Sequence, residues 1–137
     1  MKPYIAIIWW VATYLLPSYL EANSCLHYGE NPVMLAGTLE IQSFYGPPNY
    51  GETPRLDANE TQAILRLSAP ICVEANPALY AEKEQHQTQV TVVPLKNENL
   101  KDYDGKQTRV KGRLFHAVTG HHHTAVLVEI ERIEILK

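Results

Sequence analysis

The run TGHHHTAV, Thr119 to Val126, sets His121, His122 and His123 side by side, with His116 a short way upstream. Imidazoles can ligate a metal, act as a general base, or donate and accept hydrogen bonds near neutral pH. Which of these applies depends on convergence, because a zinc ion needs its nitrogen ligands at about 2.0 to 2.1 Å from one point. A second chemically rich stretch, FYGPPNYGE, carries Phe44, Tyr45, Asn49 and Tyr50 on a Pro47-Pro48 scaffold. Rings, an amide and imidazoles together suit a sugar, a peptide or a protein loop, and a stiff scaffold lowers the ordering cost of binding. The plainer role for Phe44 and Tyr45 is to plug one end of the fold.

The segments on either side decide where the imidazoles point. KQTRVKGRLFHAV and TAVLVEIERIEIL both read as strands. A turn over Gly120 to His122 would set Thr119 opposite His123, Arg113 opposite Glu129 and Lys111 opposite Glu131. The last two are opposite-charge cross-strand pairs, each stabilising by about 0.2 to 1 kcal/mol. The same register gathers Val110, Leu114, Val118, Thr124, Val126, Val128 and Ile130 on one apolar face, and a one-residue slip would mix the faces. His116 then lies on the apolar face, bonded to a backbone carbonyl, while His123 lies on the other face and His121 and His122 occupy the turn. The rings do not converge, so no metal and no cofactor is expected. The remaining chelating arrangement would join His121 and His123 with His27 or His86.

Three further strands come earlier in the chain. Val33 to Phe44 alternates, with Leu35, Gly37, Leu39 and Ile41 of one parity and Gly37 predicting a bend or bulge. Thr61 to Val73 is interrupted by Pro70, and Thr88 to Leu95 is the third; NPALYAEKEQHQ between them is expected to be a loop. KNENLKDYDG predicts a short helix, with Asn97 capping it and Gly105 ending it. Three strands, a short helix and two strands is the order of an all-β, five-stranded OB-like Greek-key barrel. A sandwich or an open sheet is the alternative.

The start of the chain is of another kind. MKPYIAIIWWVATYLLPSYLEANS has a basic residue, an apolar middle and Ala22 and Ser24 before a cut, the pattern of a secretory leader over residues 1–24. Its apolar run is short for a membrane span, so no stable membrane insertion is expected after cleavage. Residues 25–137 would form one domain in the periplasm or outside the cell. Loss of Lys2 and Glu21 with the leader leaves the net charge at −3, which disfavours a nucleic-acid partner. Two cysteines remain, Cys25 and Cys72. In an oxidising compartment an even count reads as a disulfide. Lipidation of Cys25 is the competitor, although Ala22 and Asn23 stand where such signals have a leucine and a small residue.

LAGTLE, FYGPPNYGE, LRLSAPICV and GKQTRVKGRLFHAVTGHHHTAVLVEI, with Cys25 before them, together resemble a family of small exported bacterial proteins known only as a domain of unknown function. The resemblance runs from Cys25 to about Ile133, with residues 75–88 departing most from it. It implies export, a compact β-rich domain and a Cys25–Cys72 pairing, and it implies no activity.

In an OB-like barrel the loop after the first strand and the loop between the last two flank the binding face. Phe44, Tyr45, Asn49, Tyr50, His121, His122 and His123 are therefore the candidate binding residues, on one rim. The leading expectation is a non-catalytic module that binds an envelope protein, a peptide or a glycan. An inhibitor or immunity protein against a secreted toxin or cell-wall hydrolase is the second reading, and a metal-dependent site on the histidines the third. No catalytic residue is expected: G-x-S-x-G and H-E-x-x-H are both missing from the sequence. A histidine base working with Glu52 or Asp57 is the one acid–base arrangement left.

Overall fold

β-Branched and aromatic residues alternating with polar ones fill the chain beyond Cys25, and such segments build strands. The computed structural model describes residues 24–137; the leader expected over residues 1–24 lies, except for Ser24, outside the described residues. The strands are β1 (Leu26–His27), β2 (Val33–Tyr45), β3 (Asn59–Glu74), β4 (Glu84–Pro94), β5 (Gln107–His116) and β6 (Val126–Ile135). β2 pairs antiparallel with β3 and with β5, β5 pairs antiparallel with β6, and β6 runs parallel to β4. β4 returns antiparallel to β3, which closes β2 to β6 into a five-stranded barrel. β1 adds a short parallel pairing to β3.

The inward side chains include Leu35, Leu39, Leu65, Val90, Val110, Leu114, Val126, Val128 and Ile130, all buried in one core. Closure needs two close backbone approaches. Gly37 pairs with both Leu67 and Thr108, where β2 passes from β5 to β3, and a Cβ there would sit 2.0 Å from the Arg66 carbonyl oxygen. Gly112 meets the Glu129 carbonyl oxygen in the same way, at 2.2 Å. Glycine is the residue that lets strands bend this tightly.

Several expectations are corrected. The segment after β4 holds one 3-10 turn, Leu100–Tyr103, and not a short α-helix. Asn99 rather than Asn97 caps it, accepting from the Lys101 N–H, and Asp104 precedes Gly105 at its end. So few residues cannot meet the cost of nucleating an α-helix. β4 starts at Glu84, inside the stretch expected to be loop, because Glu84 and Gln87 pair with Val73 and Ile71. Pro70 does not end β3; the ladder to β4 becomes irregular between Arg66 and Ile71, as expected of a residue without an N–H.

In the final hairpin Arg113 does face Glu129. A bulge between Lys111 and Gly112 then shifts the register, so Lys111 faces Arg132 and not Glu131. Glu131 instead pairs with the Arg113 guanidinium at 2.9 Å. The ladder ends at His116 and Val126, so Thr119 and His123 do not pair as strand residues. Residues 117–125 form a longer loop, closed by the Ala117 N–H to the Ala125 carbonyl at 2.9 Å and tipped by a turn from Thr119 to His122. Val118 is 71% exposed and does not join the apolar face.

Cys25 and Cys72 form a disulfide across a separation of 47 residues, which occupies both thiols. Among the described residues no helix is long and apolar enough to cross a membrane. Cross-links over such loops stabilise by about 3 to 4 kcal/mol on the chain-entropy account. Urea unfolding of a Cys25→Ala/Cys72→Ala variant should show a loss of that size, with the m-value of the transition reported alongside it.

Candidate functional site: a histidine loop across the outer barrel face

Strand alternation sends Leu65, Val90 and Val128 inward and their neighbours outward. Three of those outward residues are nevertheless buried: Ile64 (0% exposed), Leu127 (1%) and Thr91 (3%). They lie in one row across the sheet, Ile64 beside Thr91, Thr91 beside Leu127, and Leu127 beside Phe115. The 117–125 loop folds back over this row. The Thr124 hydroxyl accepts from the Thr91 N–H at 2.9 Å and lies 2.8 Å from the Thr91 hydroxyl. The Gln62 amide donates to the His121 carbonyl, and the His122 ring meets Phe115 edge-on with centroids 5.7 Å apart.

Glu60 is the anchor. Its position at the start of β3, opposite Phe44, sets its carboxylate beneath the loop. His121 Nδ1 donates to one carboxylate oxygen, and His123 Nε2 lies 3.4 Å from the other. The His123 ring stacks on Phe44, with centroids 4.1 Å apart and planes at 5°. Two imidazoles are thus brought together at one carboxylate. Among the described residues no group of three or more His, Cys, Asp or Glu side chains is arranged to hold a metal.

The loop between β2 and β3, residues 46–58, is organised by another carboxylate. Asp57 accepts from the N–H groups of Asn49 and Gly51, both at 2.8 Å, and of Thr53 at 3.3 Å. Desolvation pushes its carboxyl upward, but the Gly51, Asn49 and Thr53 hydrogen bonds outweigh this and hold it below the ordinary aspartate range. The two loops touch. Tyr50 packs against Gly120, where a Cβ would lie 2.8 Å from the ring, and meets the His121 ring edge-on at 5.7 Å.

Of the residues singled out in the sequence, the structure brings Phe44, Tyr50, His121 and His123 together. Tyr45 packs over Gly51 and is 47% exposed. Asn49 serves the loop internally, its side-chain amide donating to the Thr53 hydroxyl at 2.6 Å. His122 turns the other way, accepting from the Val118 N–H at 2.9 Å through Nδ1. Burial, with the charges of His121 and His123 adding to it, lowers the His122 pKa, which suits a nitrogen that must stay unprotonated to accept.

His116 sits apart from these. Its Nδ1 faces the Ala117 carbonyl at 3.0 Å, as expected, and its Nε2 faces Glu84 at 2.8 Å. Beside it the Tyr28 phenol is pushed up to about 12, by burial first and by the Glu84 carboxylate second. A groove of about 340 Å³ borders the site, with Gln62 and Thr91 lining it alongside Ile41, Ala63, Val92 and Leu100 near the 3-10 turn.

Glu60, Gln62, Thr91, Thr124 and Asp57 were not singled out in the sequence as binding residues. Glu60 carries a signal only once it is known to lie opposite Phe44. Asp57 is legible as a turn former, since a carboxylate readily accepts nearby backbone N–H groups.

β4, β5, β6 and the histidine loop between the last two make up the stretch that comparison with known proteins picks out. Over residues 85–134 the chain matches an uncharacterised family, described as "Domain of unknown function (DUF4431)". The DUF4431 stretch thus includes His121, His122, His123 and Thr124, while Phe44, Glu60 and the Asp57 loop lie before it. No curated protein matches the chain.

Because the folded-state pKa of Asp57 is depressed, its contribution is complete above the usual value of 3.8 and is lost as pH falls through the lowered value. In an NMR titration the Asn49 and Gly51 amide signals should therefore hold steady from neutrality down to about pH 4 and move only below it. Asp57→Asn should displace both signals at neutral pH and speed their hydrogen exchange.

Proposed function

We propose that the protein is an exported, non-catalytic binding module that engages a peptide, a glycan or an envelope protein through the rim of its two touching loops. The observation that carries this reading is the arrangement of the rim itself. Its polar groups are used internally, by Asp57 and Glu60, while Tyr45 (47%), Tyr50 (43%), Leu56 (74%) and Val118 (71%) are left exposed. Apolar and aromatic side chains on a surface held rigid from within are the usual anchors of recognition.

An OB-like Greek-key architecture fits this role. Five strands close in the order β3-β2-β5-β6-β4, with β4 and β6 parallel, and the 3-10 turn lies between the third and fourth barrel strands. In such barrels the loop after the first strand and the loop between the last two flank the ligand. Export is supported by the leader-like N-terminal sequence and by the Cys25–Cys72 disulfide, which needs an oxidising compartment. A net charge of −3 argues against a nucleic-acid ligand.

The test is crosslinking capture of partners from a cell-envelope extract, comparing the natural chain with Tyr45→Ala/Leu56→Ser. Both substituted side chains are exposed, so thermal stability should hold within a few degrees. Partner recovery should fall about tenfold or more, the effect of losing one good anchor. Equal recovery by a folded double variant would remove the rim from consideration.

A further inference from the structure

The outer face of the barrel has two kinds of surface. On β2, β3 and β5 its side chains are those of a wetted sheet: Glu40, Gln42, Arg66, Arg109, Lys111 and Arg113, all at least partly exposed. Under the 117–125 loop the outward positions are Ile64, Thr91 and Leu127, all sealed from solvent yet outside the barrel interior. Ile64 and Leu127 also stand apart from the core cluster. The histidine loop lies along this row, bonded to Thr91 through Thr124 and meeting Phe115 through His122. An apolar strip on an outward face, bordered by a carboxylate, an amide and an aromatic ring, has the make-up of a recognition surface.

The loop sits on that strip as a bound peptide would. It contributes no ladder pairing there, and its contacts are made through single groups. The His121 carbonyl takes the Gln62 amide, the His123 ring lies on Phe44 near Glu60, and the Thr124 hydroxyl takes the Thr91 N–H. Its base is closed independently, by the Ala117–Ala125 hydrogen bond and the His116–Val126 pair. The flap can therefore lift without opening the β5–β6 ladder.

We propose that residues 118–124 are an internal ligand, occupying a peptide-accepting face made by Phe44, Glu60, Gln62, Thr91 and Phe115, from which a partner's peptide segment displaces them. The partner segment follows from the loop's own chemistry. It carries a basic or imidazole ring residue to lie on Phe44 and pair with Glu60, followed directly by a serine or threonine whose hydroxyl reaches Thr91. This inference goes beyond the rim reading, which concerns the exposed side of the loops, and either can fail without the other.

Two variants release the face. One is His121→Ala/His123→Ala/Thr124→Val, which removes the anchors; the other replaces residues 118–124 with a Gly-Ser linker of equal length. The probe is a synthetic peptide of residues 117–125, followed by NMR shift changes at Ile64, Thr91 and Leu127. An attached loop competes at an effective concentration of order millimolar. The natural chain should therefore show almost no shifts at about 0.05 mM peptide, well below that concentration, while both variants should bind it. Adding Glu60→Ala to the linker variant should weaken that binding about tenfold or more, and His123→Ala/Thr124→Ala in the peptide should do the same. Folding is checked by circular dichroism. Three outcomes overturn the proposal: folded variants that ignore the peptide, binding that is indifferent to Glu60→Ala, or failure of both variants to fold, which would make the loop part of the core.

Discussion

Barrel closure depends on β2 serving two neighbours in turn. Its first half pairs with β5 and its second half with β3, and the exchange takes place at Gly37 and Thr38. A side chain at Gly37 would collide with the Arg66 carbonyl. This bend lets β3 reach β4 and lets β4 complete the ring through β6. It also fixes which side of every strand faces out, so the positions of Phe44, Glu60 and Gln62 on one outer surface follow from it. The candidate binding residues belong to loops and strand ends, but their common surface is set by a backbone contact that none of them makes.

On that surface, electrostatics and packing divide the work. Asp57 shapes one loop from below and Glu60 holds the other, and each does so by accepting several donors at once. Carboxylates that accept several hydrogen bonds are well suited to ordering irregular chain, because they satisfy backbone or ring donors that regular structure leaves free. Phe44 under His123 and Tyr50 against Gly120 then fill the space between.

Much of the barrel was legible in the sequence. Alternation identified the five strands, and the pattern Leu35, Gly37, Leu39 and Ile41 pointed to the bend in β2. The meeting of the GPPNYGE and TGHHHT loops followed from the strand order. The parts that were not legible depend on what one strand does to another. The bulge at Lys111 and Gly112 moves a whole pairing by one residue, and nothing local marks it except the glycine. The early start of β4 is imposed by β3, since EQHQ has no apolar alternation of its own. Glu60 gives no sign of its role within NET, because both its histidine partners lie some sixty positions away in the chain. The end of the hairpin ladder at His116 is likewise set by Thr124, which reaches for Thr91 rather than continuing the strand.

Asp57 holds its loop through main-chain N–H groups at three alternate positions, Asn49, Gly51 and Thr53. Any residue but proline supplies such a group. The shape of the segment is thereby uncoupled from the identity of exposed side chains such as Glu52, Arg55 and Leu56. Natural variation can rewrite the side chains this surface presents while its scaffold stays as it is, much as a fixed frame accepts interchangeable panels.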